Sequence, residues 1–565
     1  MTSSPSVSWR ARILPLALGP ALLIALNLLV YGRVVGFDFV RWDDDLNISA
    51  NASLSAPLSW DLVRESFSAD QALRFKPVHF WLSWLLYQAF GLDPAGWHAA
   101  NLFLHAAATL LFFHVLRRIV AMAAPQASPG RITNCALAGA ALWAVHPLRA
   151  EVVAWATAST YPCATLWLLA SFACYLEVDR PGRTRAWWLG LAWLGAVASY
   201  ASYPIGLTYA LFMVAFDRWK HGRGHLRAGD GPARATQWLV PAAFLAPAVL
   251  AVAFTLWSRF ANPGIFIAAP TLGEFGLPLR VLVSLASLGY LAGRLVWPVD
   301  LTPNGPPLAI AEVFWQLLLL AAVTLGLLIC AAGRRRASRD FLWLTWAFAA
   351  LSLPCLGLVE RPMWPVDRYS YLVHLVLIAG LACWAARRFG TAALARGAWV
   401  AGVGLTGLSA CGAARQSEIW RDSSSLFAHM EANARFQEDP LQAAHIYLMW
   451  AQHERKAGRP RKSDELFNRA YLTYMDTMRR AVAAQDYRRA IEVSAYMAEN
   501  FQPSANLRRE RGGWLLRLGH PREALAELEA AERALPGDPR TQALREEAQR
   551  RLAAARANES SGVSR

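Results

Sequence analysis

Three consecutive carboxylates, Asp43, Asp44 and Asp45, follow closely on the first long apolar stretch, with Trp42 beside them where a membrane-interface aromatic is expected. Carboxylates at the edge of an apolar span must face water, a cation or a substrate, because burying them unpaired is costly. One of them could take a proton from an acceptor hydroxyl as a general base. Arg74 and Lys76 follow in the same loop and could hold a phosphate, with lipid headgroup contact as the plainer reading. Such chemistry requires no metal or other cofactor, although three adjacent acids could hold a divalent cation.

Further candidates lie along the apolar sequence. His98, Asn101 and His105 fall on one face of a helix, which fits a hydrogen-bonded polar stripe between helices or, on weaker grounds, metal ligation. His146-Pro147-Leu148-Arg149-Ala150-Glu151 closes another span, and Arg149 is expected to pair with Glu151 and position the site. Glu360-Arg361 and Asp367-Arg368-Tyr369-Ser370-Tyr371 lead into a later span. Arg361 and Arg368 could stabilise charge developing on a leaving phosphate, with a local Asp367–Arg368 ion pair as the alternative. His98, His105, His146, Asp367 and Tyr369 complete the candidate substrate-binding set.

The elements that must position these groups are helices in a membrane. The 565 residues are 55% hydrophobic and 17% charged, against about 25% charged in soluble domains. Charge is scarce over the first ~410 residues and ordinary afterwards, so a polytopic bundle carries a soluble C-terminal domain. The net charge of +16 is topogenic rather than a nucleic-acid footprint, because Lys and Arg cluster in short loops between apolar stretches. Seven cysteines lie in or beside apolar stretches without a CxxC pair and read as small hydrophobes.

The expected fold is all-α, with about eleven spans over 13–33, 97–116, 133–148, 160–177, 186–202, 203–217, 237–257, 313–332, 341–358, 369–386 and 395–412. The first span is expected to be retained rather than cleaved as a signal peptide. Arg10 and Arg12 place the N-terminus inside, which puts the basic loops 117–132, 178–185, 218–236, 333–340 and 387–394 inside as well. The loop 36–96, His146-Pro147, 298–311 and 360–368 then share the outer face. Residues 277–297 are apolar but contain Arg280 and Arg294, and are expected to form an interfacial or re-entrant helix.

After residue 412 the chain turns soluble and helical. Gly458-Arg459-Pro460, Gln485-Asp486-Tyr487 and Gly519-His520-Pro521 open similar segments, and aligning them sets Ser463, Ala490 and Ala524 27 and 34 positions apart. That spacing fits degenerate tetratricopeptide-like helix pairs over 413–557, against a generic helical bundle, followed by a disordered Ser-rich tail at 558–565. A peptide or protein partner could dock on these repeats.

The ordered motifs Trp42-Asp43-Asp44-Asp45, Lys76-Pro77, 90–105 (FGLDPAGWHAANLFLH), 146–151 (HPLRAE), 296–301 (VWPVDL), 367–372 (DRYSYL) and 417–427 (SEIWRDSSSLF) resemble bacterial relatives of the transmembrane and tetratricopeptide-repeat O-mannosyltransferases. These belong to the GT-C superfamily of membrane glycosyltransferases. The resemblance covers roughly 35–430 and implies transfer of a sugar, such as mannose, from a polyprenyl-phosphate donor to a protein, lipid or glycan hydroxyl on the outer face, with inversion. The site then lies at the periplasmic face of a bacterial inner membrane, with the donor's prenyl tail between helices. The family's aromatic followed by two acids falls on Asp43 and Asp44, leaving Asp45 outside the pattern. Where many relatives carry a charged Glu-Arg-Lys-Asp stretch, this chain reads Ala156-Thr157-Ala158-Ser159-Thr160-Tyr161-Pro162. A membrane-anchored scaffold that recruits envelope partners through its repeats is the non-enzymatic alternative. A transporter fits less well, because ionisable residues at mid-span are scarce.

Overall fold

Long apolar runs with few helix breakers leave the backbone one way to satisfy its polar groups in lipid, and the described residues are mostly helical. The computed structural model describes residues 9–67, 76–180, 182–222, 234–261, 277–303, 336–356, 366–389, 392–433, 436, 439–501 and 504–562, and no strand forms among them. The described helices are α1 (Trp9–Tyr31), α2 (Ala52–Ser55), α3 (Trp60–Ser66), α4 (Pro77–Phe90), α5 (Pro94–Ala123), α6 (Pro129–Ala144), α7 (Ala150–Ala154) and α8 (Thr160–Tyr175). They continue as α9 (Arg185–Tyr200), α10 (Tyr209–Gly222), α11 (Arg234–Ala261), α12 (Leu277–Arg294), α13 (Arg336–Ser352), α14 (Ser370–Arg388), α15 (Ala392–Glu418) and α16 (Ser423–Ala432).

Among the described residues, Leu18–Gly36, Pro94–Ala123, Asp367–Arg388 and Arg396–Glu418 are long and apolar enough to cross a bilayer. The chain is an integral membrane protein. Pro147–Ala154 and Ala156–Tyr175 form a further candidate bent by 103° at its middle. Several other expected spans meet shorter helices, whereas 237–257 lies within the 28-residue α11. Stretches 133–148 and 186–202 each fall in a helix of 16 residues and 203–217 in one of 14, about 24 and 21 Å against a hydrocarbon core of about 30 Å. The stretch 313–332 lies outside the described residues.

Helix α5 is the hub of the bundle and packs against α1, α4, α6, α8 and α14. Its start is set by Asp93, whose side chain accepts from the Ala95 N–H, with Pro94 in the first turn. A Cβ on Gly96 would lie 2.2 Å from the Phe90 ring, so glycine lets α4 fold back against α5. Deeper in, the His105 ring stacks on Trp143 at 5.3 Å, and the Trp143 indole N–H donates to the Tyr371 carbonyl.

Ion pairs tie together the loops that charge distribution placed on one side. Arg118 pairs with Glu177 at 2.5 Å, Lys220 with Asp179, and Arg387 with Asp340 at 2.5 Å. At the other end, segments around residues 44, 79, 157, 294 and 367 contact one another, so the described parts of the two expected groups of loops lie at opposite ends of the bundle. The charges in 277–297 also find a reason, because Arg294 of α12 forms a two-pronged ion pair with Asp367 at 2.8 and 2.5 Å.

The bend at Trp155 is what shapes the acid-bearing end. Asn101, fully buried on α5, donates its side-chain amide to the carbonyls of Val152, Val153 and Trp155 at 2.8, 3.0 and 3.1 Å. The first two are acceptors that a broken helix leaves open, and the third also accepts from the Ala158 N–H at 3.1 Å.

A first compact unit runs to Leu426, fourteen residues past the boundary expected at 412, because α15 continues as one helix to Glu418. The second unit, Phe427–Arg565, contains α17 (Pro440–Lys456), α18 (Pro460–Ala483), α19 (Tyr487–Asn500), α20 (Ala505–Arg517), α21 (Pro521–Ala534) and α22 (Pro539–Gly562). Gly458, Gln485 and Gly519 adopt left-handed φ values of 72°, 60° and 82° at the turns between helices. The N–H groups of Arg459, Asp486 and His520 reach back five residues to close each helix end. Ser463, Ala490 and Ala524, the small residues expected where helices cross, are all buried. The terminal helix extends to Gly562, into the segment expected to be disordered, since an established helix adds residues at little cost.

Replacing Asn101 by Ala strands the buried Val152 and Val153 carbonyls and takes one of two donors from that of Trp155, which keeps the Ala158 N–H at 3.1 Å. It should lower the unfolding free energy by about 1–3 kcal/mol, read as a lower melting temperature of the detergent-purified chain. An unchanged melting temperature would mean the bend is held by something else.

Candidate active site

The bend frees a short turn, 155–161, whose side chains reach four different partners. Asp44 sits at one side of it. Its Oδ1 accepts from the Thr157 N–H at 2.9 Å and from the Thr157 hydroxyl at 2.6 Å, while Oδ2 accepts from the Val40 N–H at 3.0 Å. The Ser159 hydroxyl and His79 Nε2 are 2.9 Å apart. Arg368 donates from Nε to the Tyr161 hydroxyl at 3.1 Å and from Nη1 to Glu151 at 2.7 Å. The Trp155 indole lies between the Arg368 guanidinium, 5.3 Å away, and the Trp420 ring, stacked at 5.4 Å.

The three acids therefore diverge. Asp44 is fully buried and both its oxygens are engaged. Burial pushes its carboxyl up to about 7 from an ordinary 3.8, against the pull of its three donors. Asp45 turns toward Arg41, 3.5 Å away. Asp43 is exposed, and its backbone adopts a left-handed φ of 71°, uncommon for a residue with a side chain. The Asp43 carbonyl is held by the N–H and side-chain amide of Asn47 at 2.8 and 3.0 Å. The loop is anchored behind by Asp38 N–H to the Arg421 carbonyl and Arg41 N–H to the Ser423 hydroxyl.

Beside this loop is a small polar cleft of about 40 Å3 lined by Asn47, Asn51, Lys76, His79, Ser83, Thr157 and Ser159, with Phe80 and Trp97 as its apolar walls. The Lys76 ammonium donates to Asn47 Oδ1 at 3.2 Å. Burial holds the His79 imidazole neutral, pushed down to about 3. The opposite face of α4 lines a wide apolar cleft of about 770 Å3 with Phe67, Trp81, Tyr200, Phe254 and Trp257. Residues 79, 80 and 83 face one cleft and 77, 78 and 81 the other, as a helical period dictates.

The remaining candidates are placed differently from expectation. Glu151 pairs with Arg368 and not with Arg149. Asp367 pairs with Arg294 and accepts from the Tyr290 hydroxyl at 3.0 Å, so the local Asp367–Arg368 bridge does not form. Neighbours on a tight 3-10 turn, Asp367–Tyr369, point to different helices. Arg149 is fully buried against the Trp143 and Tyr371 rings and donates to the Ser370 hydroxyl at 2.8 Å and His374 Nδ1 at 3.2 Å. It shows no open face to a ligand. His105 is tied to the Tyr371 hydroxyl at 2.7 Å and the Ala144 carbonyl at 3.0 Å. His98 is buried beside Phe37 and Phe39, and His146 Nε2 bonds the Leu295 carbonyl at 3.1 Å. Tyr369 is half-buried near Tyr161. Among the described residues no three His, Cys, Asp or Glu side chains converge as metal ligands. Arg74 and Arg361 lie outside the described residues. Sequence reasoning missed Thr157 and Tyr161, because an uncharged stretch carries no flag of its own, and Tyr290, because a lone tyrosine in an apolar helix carries none either.

Thr157→Val removes one of the three donors to a buried carboxyl, and should cost about 1–3 kcal/mol of stability while Thr157→Ser costs less. The native state keeps a proton on Asp44 that the unfolded chain has lost between pH 3.8 and about 7. The contribution of the neutral carboxyl is thus complete below that window and disappears as pH rises through it. Melting temperatures of wild type and Asp44→Asn from pH 4 to 8 should show that fall in the wild type alone; parallel profiles would contradict it.

No family model matches the chain. A protein O-mannosyl-transferase of Caenorhabditis elegans is 28% identical over 163 residues, 28% of this chain and 22% of that protein. The protein O-mannosyl-transferase Tmtc2 of Drosophila melanogaster is 29% identical over 210 residues, 34% of this chain and 21% of its own length. Drosophila Tmtc1 is 32% identical over 160 residues, 27% of this chain and 16% of its own. The chain thus spans about a fifth of the length of the curated relatives it matches. Among solved structures, the crystal structure of ArnT from Cupriavidus metallidurans bound to undecaprenyl phosphate overlaps 88% of this chain and 82% of that one, at 15% identity and a TM-score of 0.33. In sequence, this membrane protein resembles the protein O-mannosyl-transferases of the transmembrane and tetratricopeptide-repeat family, a GT-C type of glycosyltransferase.

Proposed function

We propose that the chain is a membrane glycosyltransferase that moves a sugar from a polyprenyl-phosphate donor to a hydroxyl acceptor, with Asp43 as the general base. The observation that carries this reading is the pairing of Asp43 and Asp44. Asp44 is consumed in holding the loop, and Asp43 is left exposed in a strained backbone beside a polar cleft. Backbone strain of this kind collects where a structure over-determines a functional geometry. The two clefts on opposite faces of α4 suit an amphiphilic donor, with its sugar phosphate on the Lys76 side and its prenyl chain on the Trp81 side. The names of the curated relatives support mannose as the sugar.

In this reading the acceptor oxygen attacks the anomeric carbon as its proton passes to the Asp43 carboxylate. The bond from that carbon to the phosphate oxygen breaks, and the lipid phosphate leaves with the electron pair, its charge balanced by Lys76. A single displacement inverts the anomeric centre. The acceptor is a protein, lipid or glycan hydroxyl, and the reaction runs on the face that carries residues 36–96, the periplasmic side of a bacterial inner membrane. No step requires a metal ion.

Transfer from a panel of radiolabelled polyprenyl-phosphate sugars by the full chain in liposomes tests this. Asp43→Asn should lower kcat by about 100-fold or more with the fold intact. Asp44→Asn should act mainly by loosening the loop, with a smaller loss of kcat and a lower melting temperature. Full activity in Asp43→Asn would remove its assignment as base, and no transfer from any donor by folded protein would favour the scaffold. Addition of a chelator should leave the rate unchanged; a loss restored by a divalent cation would bring a metal into the mechanism.

A further inference from the structure

A second apolar void lies away from the acid-bearing loop, inside the bundle. It measures about 270 Å3 and is bounded by α5, α8, α10, α13 and α14. Along α14 its wall runs from Leu372 to Arg387, about 22 Å at the helical rise. A volume of that size drawn out over that length is slender, and suits an extended chain better than a compact ligand. Its lining is aromatic and aliphatic, with Phe112, Phe172, Phe212 and Leu344 typical. Polar side chains gather at one end, where Arg387 pairs with Asp340 and the Trp219 indole N–H donates to Asp340 at 2.7 Å. Water has no partners along such a wall.

The polar end is also the open one. Phe341 and Trp384 line the void there and are 47% and 52% exposed. Arg387 is partly exposed and Arg388, the next residue, is exposed. Tryptophans beside an arginine pair are the side chains that settle at the headgroup level of a bilayer and meet a phosphodiester.

We propose that this void holds one acyl chain of a bilayer phospholipid, with the headgroup at Arg387–Arg388, as a bound lipid distinct from any glycosyl donor. The site sits at the arginine-bearing end of the bundle, and its occupancy is independent of the transfer reaction.

The test is native mass spectrometry and phosphorus analysis of the full chain after exhaustive detergent washing. One phospholipid per chain is expected to survive, and Ala347→Phe with Ala379→Phe, which fill the void from two walls, should abolish it. Stripping the wild type with harsher detergent should lower its melting temperature, and phosphatidylglycerol should restore it without any variant being needed. Arg388→Gln should reduce retention of phosphatidylglycerol more than that of phosphatidylcholine. Wild type free of retained phospholipid, a folded filled variant that retains as much as wild type, or recovery of a polyprenyl phosphate in its place would each overturn the proposal.

Discussion

The acid-bearing end of the bundle depends on one side-chain amide exchanging places with a backbone N–H. In an unbroken helix from Pro147 to Tyr175, the Thr157 N–H would bond the Val153 carbonyl four residues back. Here Asn101 takes the Val153 carbonyl, together with those of Val152 and Trp155. The Thr157 N–H is released and points to Asp44. An amide carries two hydrogens, so at least one is shared among three acceptors. In an apolar surrounding, sharing is far better than leaving carbonyls open. The bend of 103° and the anchoring of the acidic loop are thus two sides of one exchange.

Two further charges are matched in the same way. Arg294 and Arg368 each find a carboxylate from another part of the chain, and both pairs are largely shielded from water. A cation so matched stabilises the arrangement of α7, α12 and α14 only while both partners remain, since losing one leaves the other buried and alone. Arg149 is held by ring faces, a hydroxyl and an imidazole in place of a carboxylate. In this structure Arg149, Arg294 and Arg368 thus tie separate helices together. Lys76, at the rim of the polar cleft with a side-chain amide as partner, is the described cation placed to meet a ligand.

What the sequence made legible follows from what each signal measures. Hydropathy and the placement of arginines separated the two ends of the bundle, because those depend on transfer energies summed over many residues. The turns at 458 and 519 were visible in Gly and Pro, because the chemistry of a left-handed turn is local, whereas Gln485 makes the same turn without either. Pairing was not. Adjacent charges, Asp367 with Arg368 and Arg149 with Glu151, look like partners in one dimension, whereas a tight turn directs neighbours to different helices. The stretch 156–162 looked like a loss of charged residues. In three dimensions its small polar residues supply the N–H and hydroxyl groups that a buried carboxyl and a histidine need.

Two acids side by side invite equal roles, yet their surroundings divide them. Asp44 enters a space with three donors and no cation, and burial raises its proton affinity until the neutral form is well populated near pH 7. That lessens the negative charge lying next to Asp43, an exposed residue. The lock also fixes the chain on both sides of Asp43, with Val40 bonded to Asp44 and Asn47 bonded back to the Asp43 carbonyl. A residue pinned in this way gives up conformational freedom when the protein folds, before any acceptor arrives. Orientation arranged in advance is a large part of what a general base needs, because a misaligned carboxylate of the same basicity removes a proton poorly. Under the proposed mechanism the buried acid matters to the chemistry through the exposed one, and the uncharged turn at Thr157 matters through both.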